Sequence, residues 1–202
     1  HLSAWRDGQN LMANGNRPYG LTPTGEAFAA GILKRLPALL ALGAPSVASY
    51  LRLVPSHWAG VYGCWGLENR EAALRMITGS AGSSGWAANL EVKCVDLTAN
   101  PYLLLAGLLA AGLDGIAAQA QLPEPVDVDP AALTAEELER RGIERLPTSL
   151  PEATDALAAD QLLRTALGSA LIDSVLAVRQ SEIELFANAS AQDVVRALRW
   201  TH

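Results

Sequence analysis

The sequence predicts an α+β fold, with strands gathered early and helices late, rather than alternating βαβ units. Three observations predict it. Leu90, Val92 and Cys94 alternate with Glu91, Lys93 and Val95, which is the two-residue period of a strand. Phe28, Ile32, Leu33, Leu36, Leu39 and Leu40 recur at three- and four-residue spacing, the period of a helix face. From Ala131 onward the chain reads as a succession of polar and amphipathic helical pieces.

Taken in order, His1 to Trp5 is a candidate strand, and Arg6-Asp7-Gly8-Gln9 is a turn signal. Asn14 to Pro23 is rich in Asn, Gly and Pro and reads as a loop. Thr24 is placed to cap a helix that reaches Leu42, with Pro37 as a kink or break inside it. Ser49 to Ser56 reads as irregular, because Pro55 and its neighbours fit neither period. Ala72 to Ile77 and Leu90 to Val95 read as two strands joined across the Gly/Ser patch Thr78 to Gly85. Strand geometry puts Glu91 and Lys93 side by side, opposite the apolar face. Asn100-Pro101 opens an apolar helix to Gln119, with proline in the first turn. Leu122 to Pro130 is a Pro/Asp-rich linker. Helices follow over Ala131 to Arg140, Leu150 to Ala158, Asp160 to Ala166, Gly168 to Phe186 and Ala191 to Trp200.

Composition excludes several classes. Half of the 202 residues are hydrophobic and 18% are charged, which describes a core-rich domain rather than a disordered chain. The net charge is −6 and there is no run of Lys or Arg, so long nucleic acid is not an expected partner. The longest apolar run, Leu103 to Leu113, stops well short of the roughly 20 residues a bilayer requires, so no membrane partner is expected. Cys64 and Cys94 form no CxxC pair and read as small buried hydrophobes, in keeping with a reducing compartment. The chain opens at His1 without methionine, as a piece of a longer protein would.

The chemistry-bearing feature is a set of cations, Arg52, Arg70, Arg75 and Lys93, in otherwise apolar or small-residue stretches with Glu91 among them. Arginine suits bidentate grip on carboxylates and phosphates. Read from the residues alone, ordinary surface salt bridges account for them equally well.

Ordered motifs extend that reading. Ala44-Pro45-Ser46-Val47-Ala48-Ser49-Tyr50-Leu51-Arg52-Leu53-Val54-Pro55, then Trp65 to Arg75 with Glu68-Asn69-Arg70-Glu71-Ala72, then Leu90-Glu91-Val92-Lys93, then Ala99-Asn100-Pro101-Tyr102 follow one another. With His1-Leu2-Ser3, these segments resemble the glutamine synthetase family in order and nearly in spacing. The resemblance covers most of residues 1 to 120 and continues loosely to the C-terminus. It implies the C-terminal part of that family's catalytic domain, an antiparallel sheet with helices. An N-terminal β-grasp domain and the first part of the catalytic domain would lie upstream.

The same resemblance implies the chemistry. ATP and glutamate would form a γ-glutamyl phosphate, which an amine attacks, with Mg2+ or Mn2+ and several arginines neutralising the phosphoryl oxygens. Glu91 would be a metal ligand, Arg75 would contact the transferring phosphate, and Arg70 would lie between phosphate and glutamate. Arg52 and Lys93 would hold glutamate. His1 and Ser3, with Arg70 and Arg75, would serve the nucleotide. The resemblance further implies a cytoplasmic enzyme in a homo-oligomeric ring, a dodecamer. With the other metal-binding carboxylates upstream, this chain alone is expected to be inactive.

Departures from the pattern carry the sharpest expectation. The family's ammonium-binding Glu falls on Trp58, in Pro55-Ser56-His57-Trp58-Ala59-Gly60. An indole has a donor N–H and no basic site, so it cannot take a proton from ammonium. A flat aromatic face suits an alkyl chain or a cationic amine instead. The sequence also resembles the γ-glutamyl-amide-forming branch, which has Ser-His-Trp-Ala-Gly here. The acceptor expected is therefore an organic amine such as ethanolamine or a polyamine, with His57 the nearest replacement base. Asn89 and Trp86 stand near positions where the family carries cations, and Lys93 stands where it usually has Arg. Three alternatives remain open: ammonia as acceptor, an inactive family member with an assembly or regulatory role, and a generic nucleotide-binding module.

Overall fold

The computed structural model describes residues 1–80 and 82–201. The expected α+β class is what is found: two small sheets in the first half of the chain, with a long helix between them, and helices thereafter.

The chain begins with a hairpin of β1 (Trp5–Arg6) and β2 (Gln9–Asn10). Asp7 and Gly8 between them both take positive φ, as a tight hairpin turn requires. Just before it, Leu2 and Leu90 exchange both backbone hydrogen bonds at 2.8 Å. Helix α1 (Pro23–Gly43) follows, capped by Thr22 rather than Thr24. The Thr22 hydroxyl accepts from the Gly25 amide at 3.0 Å, and Pro23 fills the first helical position, where no N–H is needed. The helix continues through Pro37, so of the expected kink or break the break is ruled out. Most of α1 is buried on all sides, so packing holds it where propensity would not.

α4 (Pro101–Ala117) lies against α1 and is capped by the Asn100 side-chain oxygen Oδ1, which accepts from the Tyr102 and Leu103 amides. The two helices approach backbone to backbone: a Cβ on Gly31 would lie 2.2 Å from Ala111 O, and one on Gly115 2.1 Å from Ala27 O. Arg35 on α1 fastens this arrangement. Its guanidinium donates to Asp114 on α4 at 2.7 Å and to Asp160 at 2.9 Å.

A single helical turn, α2 (Ser49–Arg52), stands where irregular chain is expected. The main sheet has the order β3 (Tyr62–Leu67), β4 (Ala72–Ile77), β5 (Asn89–Val92). β4 and β5 are antiparallel, with Arg75 opposite Glu91. β3 runs parallel to β4, although only Glu68–Glu71 connect them. Parallel neighbours usually need a crossover of about a dozen residues. Here a four-residue return that starts with a left-handed turn at Glu68 suffices, since five Cα steps can reach about 17 Å, the length of such a strand. Asn69 pins the return: its amide donates to Val126 O and Val128 O at 2.8 and 2.9 Å.

Between β4 and β5 the expected turn contains a short helix, α3 (Ser84–Ala87); Ala81, in the middle of the Gly/Ser patch, lies outside the described residues. The linker after α4 packs along β3, with the Val126 amide donating to Trp65 O at 2.8 Å. α5 (Ala135–Arg141) begins later than expected, after a turn at Pro130–Ala132, and has a Thr134–Glu137 capping box. α6 (Leu150–Ala159), α7 (Gln161–Leu167) and α8 (Ser169–Leu185) pack against one another and, through α6, on α1. Glu182 of α8 reaches back to Ser46 Oγ and the Val47 amide, at 2.6 and 2.9 Å. α9 (Ala191–Leu198) ends the chain. Among the described residues no single helix is long and apolar enough to cross a membrane.

Candidate active site

The antiparallel register of β4 and β5 builds the centre of the site. Leu90, Val92 and Cys94 point into the core, and Glu91 and Lys93 share the opposite face. Glu91 is the acidic hub. Its Oε2 takes a hydrogen bond from Arg75 Nη1 at 3.2 Å. Its Oε1 lies 3.6 Å from Lys93 Nζ and 3.7 Å from His1 Nε2. His1 is held there by donating from Nδ1 to Asn89 Oδ1 at 2.9 Å, so Asn89 positions the ring from the same strand. The other arm of Arg75 pairs with Glu68, and its Nε is buried with no hydrogen-bond partner among the described residues. Burial alone would lower the Arg75 pKa; the hydrogen bonds and charges of Glu68 and Glu91 outweigh it and raise it above the ordinary arginine value.

The loop Pro55–Gly60 crosses the start of β4. Gly60, at φ +64°, presses so close that a Cβ there would stand 2.8 Å from Lys93 Cβ and 2.9 Å from Ala72 O. Trp58, also at positive φ, is 66% exposed. The Arg70 guanidinium stacks over its ring at 5.8 Å, and its backbone amide donates to Glu71 Oε1 at 2.8 Å. His57 Nδ1 donates to Pro55 O at 2.7 Å, and Ser56 Oγ donates to Asp129 at 2.7 Å.

The sequence-selected residues thus fall into two groups. Arg75, Glu91, Lys93 and His1 meet around one carboxylate. Trp58 and Arg70 meet on the adjoining loops, with His57 beside Trp58 in sequence but turned back on its own backbone. Arg52 donates to Val95 O at 3.1 Å, two residues beyond Lys93. Ser3 Oγ accepts from the Trp5 indole at 2.9 Å and is otherwise exposed. Two further carboxylates join the site: Glu68, which clamps Arg75, and Glu71, which holds Trp58. Both sit in the Trp65 to Arg75 segment, where their placement on either side of Arg70 was the available signal.

Chemically, the first group offers fixed cations around a hard oxygen donor, and the second an exposed aromatic face. Among the described residues no set of three or more His, Cys, Asp or Glu side chains is placed to hold a metal ion. Glu91 fits such a role only as one ligand among several, since a hard divalent cation takes about six oxygen donors.

The family described as "Glutamine synthetase, catalytic domain" matches residues 1–197. A gamma-glutamylpolyamine synthetase of Streptomyces coelicolor is 54% identical over 202 residues, which is all of this chain and 43% of that protein. A glutamine synthetase of Thermococcus kodakarensis is 43% identical over 170 residues, 84% of this chain and 37% of its own. Of solved structures, a novel glutamine synthase homologue superposes with a TM-score of 0.79 at 41% identity, over 95% of this chain and 42% of that one. GmaS in complex with ADP gives 0.77 at 32% identity, over 96% and 44%. The chain spans less than half the length of the curated relatives it matches.

Proposed function

The chain belongs to the glutamine synthetase family, as part of its catalytic domain, and on that premise we propose that the full-length protein is an ATP-dependent ligase joining the γ-carboxylate of glutamate to an organic amine. The reaction would pass through a γ-glutamyl phosphate. Arg75 would meet the transferring phosphoryl group, exchanging its carboxylate partners for phosphate oxygens, and Arg70 would lie between phosphate and glutamate. Arg52 and Lys93 would hold the glutamate carboxylates, and His1 and Ser3 the nucleotide. A divalent cation, for which Glu91 would be one ligand, would supply charge neutralisation on the phosphates. The remaining ligands would come from outside this chain, so the chain alone would be inactive. Assembly into a homo-oligomeric ring is part of the same reading.

The observation that carries the choice of acceptor is Trp58. Trp58 is an exposed indole braced by Arg70 and Glu71; by the family resemblance it would stand where proton abstraction from ammonium needs a carboxylate. Identity over the whole chain to a gamma-glutamylpolyamine synthetase supports the same choice. The test is phosphate release by the full-length enzyme with ATP, glutamate, Mg2+ and a panel of amines. At least one organic amine is expected to outpace ammonium. Equal rates with ammonium alone refute the Trp58 reading.

A further inference from the structure

Three carboxylates border the site, and two are neutralised: Glu68 and Glu91 share Arg75, and Glu91 also has Lys93. The third, Glu71, has no cation within salt-bridge distance among the described residues. Its neighbour Arg70 places its charge over the Trp58 ring instead. Glu71 is half-buried at the foot of β4, and its Oε1 is taken by the Trp58 amide at 2.8 Å. Among the described residues no hydrogen bond reaches its Oε2. A carboxylate that accepts one neutral N–H keeps its full charge and at least one free acceptor oxygen.

The loop that presents Trp58 is held at both ends. Ser56 is tied to Asp129, and the Trp58 amide to Glu71. Arg70 covers one face of the indole; the 66% exposure leaves the rest open. An exposed indole whose own backbone amide is bonded to a carboxylate with no cation partner among the described residues has the makings of a receptor for an alkyl chain that carries a cation.

We infer that Glu71 is the specificity-determining residue for the acceptor, binding through Oε2 the ammonium group of a diamine or polyamine that does not react. The alkyl chain lies on Trp58. This inference rests on the ligase reading above and deepens it by naming the charge of the substrate's far end. The two ends of such a substrate need opposite treatment. The attacking nitrogen must be unprotonated, while the distal nitrogen stays an ammonium, and a carboxylate recognises only the latter.

The test compares 1,4-diaminobutane with butylamine, which lacks only the distal charge, as substrates of the full-length enzyme. In the unaltered enzyme kcat/KM is higher for the diamine. Glu71→Gln keeps a carbonyl oxygen for the Trp58 amide and removes the charge. It lowers the diamine-to-monoamine ratio of kcat/KM about tenfold, the loss expected for one charge-assisted hydrogen bond. Glu71→Ala, which also frees the Trp58 loop, damages both substrates while keeping the lowered ratio. A ratio in Glu71→Gln equal to that of the unaltered enzyme overturns the inference and leaves the ligase reading standing. Preference of the unaltered enzyme for butylamine overturns it even without a folded variant. Failure to turn over any amine overturns the ligase reading and this inference with it.

Discussion

Replacing Gly60 by alanine should damage stability and the amine pocket together, because this residue wedges the Trp58 loop against the sheet. At φ +64° the backbone is in the left-handed region, which costs a side-chain-bearing residue about 1–2 kcal/mol. The added Cβ would meet Lys93 Cβ at 2.8 Å, Ala72 O at 2.9 Å and Ala73 Cα at 3.0 Å. Two of those atoms are backbone of β4, buried within the sheet, so the loop must lift away; such overpacking costs about 1–3 kcal/mol. The combined loss of about 2–5 kcal/mol corresponds to a fall in Tm of roughly 5–15 °C for a domain of this size. Relief by lifting the loop moves Trp58 off its anchor on Glu71, so KM for the amine rises as well. Thermal unfolding and amine titration of full-length Gly60→Ala check both halves. A variant with unchanged Tm and unchanged amine KM would refute the claim that this contact sets the loop.

Arg35→Ala should destabilise by about 2–4 kcal/mol, less than a fully buried pair because Asp114 is partly solvated. Two carboxylates that now share one guanidinium would be left facing each other across α1, α4 and the start of α7. Denaturant unfolding measures it, with Arg35→Lys losing less. Alkaline pH should weaken the fold through its thiols. Burial pushes Cys64 and Cys94 up from 9.0 to about 12, so above the lower value the unfolded chain sheds protons that the folded chain keeps. Stability is therefore full below about pH 9 and declines as pH rises towards 12. Burial raises the Tyr50 phenol too, so the double variant Cys64→Ala, Cys94→Ala should flatten the decline in urea midpoint without abolishing it.

Legibility in the sequence followed how local the cause was. The β4–β5 pair was readable because Leu90, Val92 and Cys94 alternate cleanly, and α4 because Asn100-Pro101 is both cap and first turn. The cap of α1 lay two residues earlier than read: in Thr22-Pro23-Thr24, both threonines are competent, and only Pro23 at the first helical position decides between them. β3 has no clear signature in the sequence. Gly63 and Gly66 dilute its strand signal, and its parallel pairing depends on the return pinned by Asn69 to a linker some sixty residues away. In the site, alternation alone placed Glu91 beside Lys93. The Arg75–Glu91 pairing needs strand register, and the Trp58–Glu71 contact joins two loops thirteen residues apart, so neither has a local signature.

The reciprocal bonds between Leu2 and Leu90 bear on how the protein avoids sticking to itself. A strand whose outer rim is open is a ready template for a stranger's backbone. β5 is only four residues long, and its second residue is already engaged on the side away from β4. The stretch that carries the site's acidic hub therefore has a neighbour on both flanks at Leu90, and breaking the bridge, as Leu2→Pro would by removing the amide that donates to Leu90 O, would open that rim to intermolecular pairing.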